Sequence, residues 1–166
     1  MRVTAIKFIT ITIRNCLLLV AFILASCAQQ PLPQVDLQNS NWQVLRGQAS
    51  WQPAGDRPRI AGDVLIAKDN AGNSYIEFSK TPVAIFTAQI HNSRWALNMI
   101  ASSATHHGRG TPPKRFIWFY VPDFVMKHTP LPDSNWSFEY KSGDTVILKN
   151  PKTGENIRLV MDSPLP

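Results

Sequence analysis

From Trp42 onward, apolar residues tend to recur at every second position in runs of about five to nine residues, separated by turn-forming residues. That period of two belongs to β-strands with one covered face. The C-terminal third shows it best, where Trp136, Phe138 and Tyr140 alternate with Ser137, Glu139 and Lys141. Lys141, Ser142 and Gly143 fit a three-residue hairpin loop with glycine in the left-handed position. That loop predicts Tyr140 opposite Asp144, Phe138 opposite Val146 and Trp136 opposite Leu148. Asn150 to Glu155 reads as a four-residue loop on a type I turn, proline early and glycine late. It predicts Asn150 opposite Glu155, Leu148 opposite Ile157 and Val146 opposite Leu159. Both turns gather the apolar residues on one face. Glu139, Lys149, Asn156 and Arg158 fall on the other, which is expected to be wet, as antiparallel sheets commonly are.

A two-residue turn at Asn92-Ser93 extends the pattern. It predicts Ile90 opposite Trp95, Ala88 opposite Leu97 and Phe86 opposite Met99, with Gln89–Ala96, Thr87–Asn98 and Ile85–Ile100 on the second face. Earlier strands are expected over 43–51, 63–67 and 75–78, the last two joined by a hairpin loop over 68–74. Seven of the nine residues from Ser102 to Gly110 are Ser, Thr, His or Gly, the composition of a surface loop. Thr111 can cap a helix over 112–121 that opens on Pro112 and Pro113 and puts Phe116, Phe119 and Tyr120 on one face. Pro122 is expected to end it, with a further turn at 123–127. The strand propensity of 116–121 keeps a strand there as a rival, although a sheet with one apolar face needs a cover. The expected fold is mainly β (α+β): a curved antiparallel meander sheet or incomplete β-barrel, with one or two short helices covering its concave face.

The N-terminus follows a different pattern. An apolar run over 16–25 follows Arg2, Lys7 and Arg14, and residues 1–26 contain no acidic residue. A basic head, a short apolar core and small residues at its end make a secretory signal peptide. The run is too short for a transmembrane helix, which needs about 20 apolar residues. Extending it back to Val3 would bury Lys7 and Arg14. Leu24-Ala25-Ser26-Cys27 resembles the lipobox of bacterial lipoproteins, in which cleavage falls between the residues corresponding to Ser26 and Cys27 and the cysteine is acylated. Thioether-linked chains hold a protein to a bilayer because each buried methylene contributes about 0.8 kcal/mol. In Gram-negative families of this kind an aspartate after the cysteine signals inner-membrane retention, so Ala28 implies the outer membrane, with the domain on its periplasmic face. The expected organisation is a signal peptide over 1–26, a flexible proline-containing tether over 27–40, one β-rich domain over 41–162 and a tail over 163–166.

Removing residues 1–26 changes the charge picture. The chain carries a net charge of +6, but three of its 17 basic residues leave with the signal, so 14 remain against 11 acidic ones. These lysines and arginines form no dense run, and nucleic acid is not an expected partner. Cys16 departs and Cys27 is spent on lipid, so no thiol remains for a disulfide, a metal or catalysis. Neither a nucleophile elbow nor a zinc-protease helix nor a phosphate-cradling glycine loop appears, and no catalytic residue, metal or cofactor is assigned. His106 and His107 neighbour Arg109, but adjacent histidines on a strand point to opposite faces. His91 and His128 are expected in solvent. Asp63 and Glu77 form a chance carboxylate pair at most. The aromatic residues are more informative. Phe86, Trp95, Met99, Phe116, Phe119, Trp136 and Phe138 can face one concave side, either as a filled core or as the lining of an apolar ligand site. Trp118 and Tyr140 can join them.

The lipobox ending at Cys27, the early strand from Trp42 to Trp51 and Lys80-Thr81-Pro82 before a hairpin belong together with the 112–120 segment and the terminal meander from Trp136. In this combination the chain resembles the lipoprotein-carrier and lipoprotein-receptor superfamily of the bacterial envelope. The resemblance covers most of residues 40–162 and, outside the lipobox, is architectural. It implies an incomplete antiparallel barrel plugged by helices, which binds acyl chains and passes lipoproteins to the outer membrane. The chain is shorter than the usual receptor and shows no counterpart of its protruding loop, so Cys27 alone is carried over. The expected role is a lipid-anchored envelope protein that binds an apolar ligand, an acyl chain or a lipoprotein. The alternative is a structural or assembly accessory with a solid core, acting through protein contacts.

Overall fold

The computed structural model describes residues 31–55 and 57–163. The signal segment 1–26, Cys27 with the next three residues, and residues 164–166 lie outside them. Among the described residues, nine strands make one antiparallel sheet: β1 (Trp42–Gln52), β2 (Ile60–Asp69), β3 (Ser74–Lys80), β4 (Val83–His91), β5 (Arg94–Met99), β6 (Ala104–Arg109), β7 (Ser137–Ser142), β8 (Thr145–Asn150) and β9 (Glu155–Met161). Their order across the sheet is β6-β5-β4-β3-β2-β1-β9-β8-β7. Two sequential meanders, β1–β6 and β7–β9, are therefore joined by the β1–β9 pair. The sheet does not close into a barrel. Its two edges, β6 and β7, are neighbours in sequence, and the long connection between them carries the elements that cover the inner face.

The turns decide the registers. Asn92 and Ser93 both adopt positive φ, 49° and 59°, as a two-residue hairpin whose twist matches its strands requires. Phe86–Met99, Ala88–Leu97 and Ile90–Trp95 pair as expected. Asn150–Glu155, Leu148–Ile157 and Val146–Leu159 do as well. The β7–β8 hairpin differs. Tyr140 lies opposite Val146 and Phe138 opposite Leu148, a shift of two residues, with a bulge between Tyr140 and Ser142. The turn is the two residues Gly143 and Asp144, and Gly143 is not left-handed. Asp144 is drawn toward β9, where its carbonyl accepts the Met161 N–H at 2.9 Å. A two-residue slip preserves every side chain's face, so alternation alone could not distinguish the two registers.

Close strand approach has its own residues. A Cβ on Gly47 would lie 2.2 Å from the Val160 carbonyl oxygen, and one on Gly62 would lie 2.1 Å from that of Ser79. Glycine at these points lets β1 meet β9 and β2 meet β3. Inner-face residues form one continuous core: Val64, Ile66, Ile76, Phe78, Phe86, Val146, Leu148, Ile157 and Leu159 are each 2% exposed or less. Lys149 and Arg158 on the outer face are exposed.

Two expectations are corrected here. The 102–110 segment is not a loop throughout. After a 3-10 turn over Ile100–Ser102, β6 pairs all six of its residues with β5. Polar composition there marks a thinly covered edge strand, whose backbone is held by the ladder while its side chains stay wet. Nor is 112–121 one helix or a strand. Ile117–Phe119 forms a 3-10 turn, and helix α1 runs over Val121–Lys127. Pro122 opens the helix instead of ending the preceding segment, because the first turn needs no N–H from it and its fixed φ is helical. The Tyr120 hydroxyl donates to the Pro112 carbonyl and closes the segment on itself.

Candidate functional site

The seven apolar candidates do not line one open surface. Phe86 is fully buried, Phe119 is 2% exposed, and Trp95 and Trp136 are nearly as enclosed. Met99 and Phe116 are half-buried against the core. Phe138 alone is open, at 53%. Three aromatic groups account for most of these positions. In the middle, Trp118 comes from the 3-10 turn to meet the sheet, its ring centroid 4.8 Å from Phe86, 5.8 Å from Trp51 and 5.9 Å from Phe78. Toward β6, Trp95 packs on Phe119 at 5.6 Å and on Phe116 at 6.4 Å. A Cβ on Gly108 would sit 2.5 Å from the Trp95 ring, so the indole lies directly against β6. These distances are those of rings in contact, within the usual 4.5–7 Å range (about) for aromatic pairs. Around Trp118 the space between sheet and connection is filled.

The third group stands at the other edge. Phe138 and Tyr140 on β7 flank Phe124 of α1, with centroids 5.0 and 5.9 Å from it. Phe124 is buried, whereas Tyr140 is 40% exposed and Phe138 more so. His128 lies 5.9 Å from Tyr140 and caps α1 in the left-handed conformation. Burial pushes the Tyr140 hydroxyl above its ordinary pKa, so it stays a neutral hydrogen-bonding group beside the apolar strip. Helix α1 is too short to cover β7. The strip therefore remains partly open along the edge of the sheet. On the opposite face of β7, Lys141 pairs with Glu139 at 2.8 Å, and the hydrogen bond and charge of Lys141 hold the Glu139 carboxyl below its usual range.

Helix α1 is placed by a charge. Lys68 faces inward from β2, is 7% exposed, and its Nζ lies 3.0 Å from Asp123 Oδ1 and 3.1 Å from Oδ2. Asp123 and the αL residue His128 thus fix the two ends of one short element between β2 and β7.

The polar candidates do not assemble into a site. The His106 ring lies tilted against Phe116 at 5.1 Å on the inner side of β6, while His107 lies on the outer side opposite Ala96. Asp63 accepts from the Thr81 hydroxyl at 2.6 Å, and Glu77 from the Tyr75 hydroxyl at 2.9 Å. Each carboxylate has a local partner of its own. His91 is half-buried and His128 exposed. Among the described residues, no group of three or more His, Cys, Asp and Glu side chains is arranged to hold a metal ion. Sequence reasoning passed over Trp51, Phe78 and Phe124. Trp51 and Phe78 lie on the inner face of the sheet and Phe124 on the helix that covers it, and the signal for Trp51 and Phe78 was the same alternation that placed their neighbours.

The segment before β1 is more ordered than a free tether. Asp36 and Asn39 cap two turns through their side chains. Farther back, Gln89 on the outer face of β4 donates to the Pro33 carbonyl at 2.9 Å. Among the described residues no helix is long and apolar enough to cross a membrane. Ser26 and Cys27 lie outside those residues. No protein-family model matches this chain, and no curated protein matches it.

Proposed function

We propose that this chain is a lipid-anchored protein of a bacterial outer membrane, exported by residues 1–26 and held by acylated Cys27. In this reading it serves as an assembly accessory, and its domain is related in architecture to the lipoprotein carriers and receptors. Its contact surface is the aromatic strip of β7. The observation that carries the accessory role is the contrast between the rings of Phe86, Trp118 and Phe119, packed against one another, and Phe138 with Tyr140, left open at the sheet edge. A solid core gives an acyl chain no room beneath Trp118, whereas an exposed aromatic pair on a rigid strand is suited to anchor a partner protein. The anchor rests on the basic head, the short apolar run and Leu24-Ala25-Ser26-Cys27.

The second reading, an acyl-chain carrier, is favoured by the same open strip, since an apolar chain can lie along Phe138, Tyr140 and Phe124. One experiment separates them. The full chain is purified from membranes in mild detergent, weighed by native mass spectrometry, and also prepared with a photo-crosslinking residue at 138 or, as control, at 153. A mature mass starting at acylated Cys27, a defined envelope-protein adduct at 138 and none at 153 are expected. An acyl lipid that co-purifies and is lost in Phe138→Ser would establish the carrier instead. A full-length, unacylated mass would remove the anchor from both.

A further inference from the structure

Where the two meanders join, the outer face of the sheet is not flat. An open hollow of about 500 Å³ lies over β9, β1 and β2, lined chiefly by Gln48, Ser50, Ala61, Asp63, Arg158 and Val160. The registers explain its shape. Ser50 lies opposite Ala61 on one side and Arg158 on the other, and Gln48 lies opposite Asp63 and Val160. Ser50 and Ala61 are small, so the floor is low between the longer Gln48 and Arg158 side chains. The hollow carries one charge of each sign. Thr81, in the turn between β3 and β4, donates its hydroxyl to Asp63 Oδ2 at 2.6 Å. That contact orients the carboxylate and leaves Oδ1 without a hydrogen bond among the described residues. Arg158 is exposed and forms no ion pair among the described residues.

Neighbouring charges do not cancel this pair. The row of Arg158 continues through Ile147 to Glu139, whose carboxylate is already paired with Lys141. Beyond Asp63, Arg46 and Glu77 flank Leu65 in the next row, outside the hollow. By the register, the Cα atoms of Asp63 and Arg158 stand two strands and two residues apart, about 12 Å. Their side chains narrow that gap without closing it as an ion pair. Between them, Gln48 offers an amide that both donates and accepts, and Ser50 a hydroxyl that does the same. Two opposite charges held apart over a polar floor match a molecule that carries both charges at its ends. We infer that the hollow binds a short zwitterionic peptide, its carboxylate on the Arg158 guanidinium, its ammonium on Asp63 and the amides between them on Gln48 and Ser50. The planar guanidinium suits the carboxylate, which it can grip with two parallel N–H donors. This site lies on the face opposite the aromatic core and depends on neither the anchor nor the β7 strip.

Trialanine titrated into the full chain in mild detergent tests it, followed by amide NMR. Binding on the order of 1 mM is expected for so open a site, with the shifts centred on 48–50, 61–63 and 158–160. N-acetyl-trialanine and trialanine amide each lack one terminal charge and should bind about fivefold more weakly. Two variants assign the ends. Arg158→Gln should bind trialanine and its amide alike, and Asp63→Asn should bind trialanine and its N-acetyl form alike. The blocked peptides need no variant, so the test stands even if a variant misfolds. No binding at tens of millimolar, equal binding of all three peptides by the parent chain, or shifts confined to other segments would overturn the site. Phosphoethanolamine bound more tightly than trialanine would make the hollow a lipid-headgroup site and overturn the peptide assignment.

Discussion

Glu155 begins β9 with its Oε1 accepting the Trp51 indole N–H at 2.9 Å. Burial raises its carboxyl pKa above the ordinary value, and the Trp51 hydrogen bond and the charge of Arg57 only partly oppose that. Asp69 shows the opposite balance. Burial pushes its carboxyl up, but hydrogen bonds from the Asn73 side chain and from the N–H groups of Asn73, Ala71 and Gly72 together leave it lowered. The signs follow from linkage. A carboxyl raised in the folded state binds its proton better there, so its contribution is full at acid pH and is lost as pH rises through the folded value. A lowered carboxyl contributes at neutral pH and loses that contribution as pH falls. Glu155→Gln keeps an oxygen for Trp51 and removes the buried charge. Its melting temperature should exceed that of the parent at pH 7 and match it at pH 3, as followed by circular dichroism. A variant less stable than the parent at pH 7 and equal to it at pH 3 would show that the Glu155 charge is needed. The Glu155 contact was not legible in the sequence, because it joins residues 104 positions apart.

Between the elements, the Lys68–Asp123 pair is the polar tie of α1 to β2. Lys68 is 7% exposed and Asp123 38%, so the lysine has given up most of its water and the aspartate much less. Asp123→Ala should cost about 2–4 kcal/mol, because the buried ammonium loses its counter-charge. Lys68→Met should be close to neutral, since an apolar side chain of similar length replaces both the charge and its need for a partner. Urea unfolding of the two variants measures the contrast, and equal losses would show that the pair itself stabilises the domain. Hairpins with strong turn chemistry were readable to the residue: Asn92-Ser93 and the loop after Asn150 fixed their registers locally. The β7–β8 register was not, since a shift by two leaves the faces alone. Pro122 was misread because proline both ends and begins helices, and which it does depends on the backbone before it. His106 and His107 were assigned to a loop because an edge strand with a wet face has no apolar alternation to announce it.

Across the whole molecule, the open sheet and its covering connection were legible as a class, while the state of the interior was not. Alternation says which face is apolar and says nothing of whether facing side chains meet. They do meet at Trp118, which touches rings of β1, β3 and β4. The filled interior supports a prediction that distinguishes a solid body from a carrier. Trp118→Ala removes the ring that spans the space between sheet and connection, and should cost about 3–5 kcal/mol if the neighbours relax only partly. The space it leaves is lined by Trp51, Phe78 and Phe86. An apolar cavity of that kind stays dry and accepts small apolar guests. Titration with benzene, followed by the rise in melting temperature, should therefore stabilise Trp118→Ala and leave the parent chain unmoved. If the parent is stabilised to the same extent, the core is already hollow elsewhere and the carrier role becomes the better account. If neither responds while the variant stays folded, the connection has collapsed onto the sheet, and its hold on the two edges is looser than the ring packing implies.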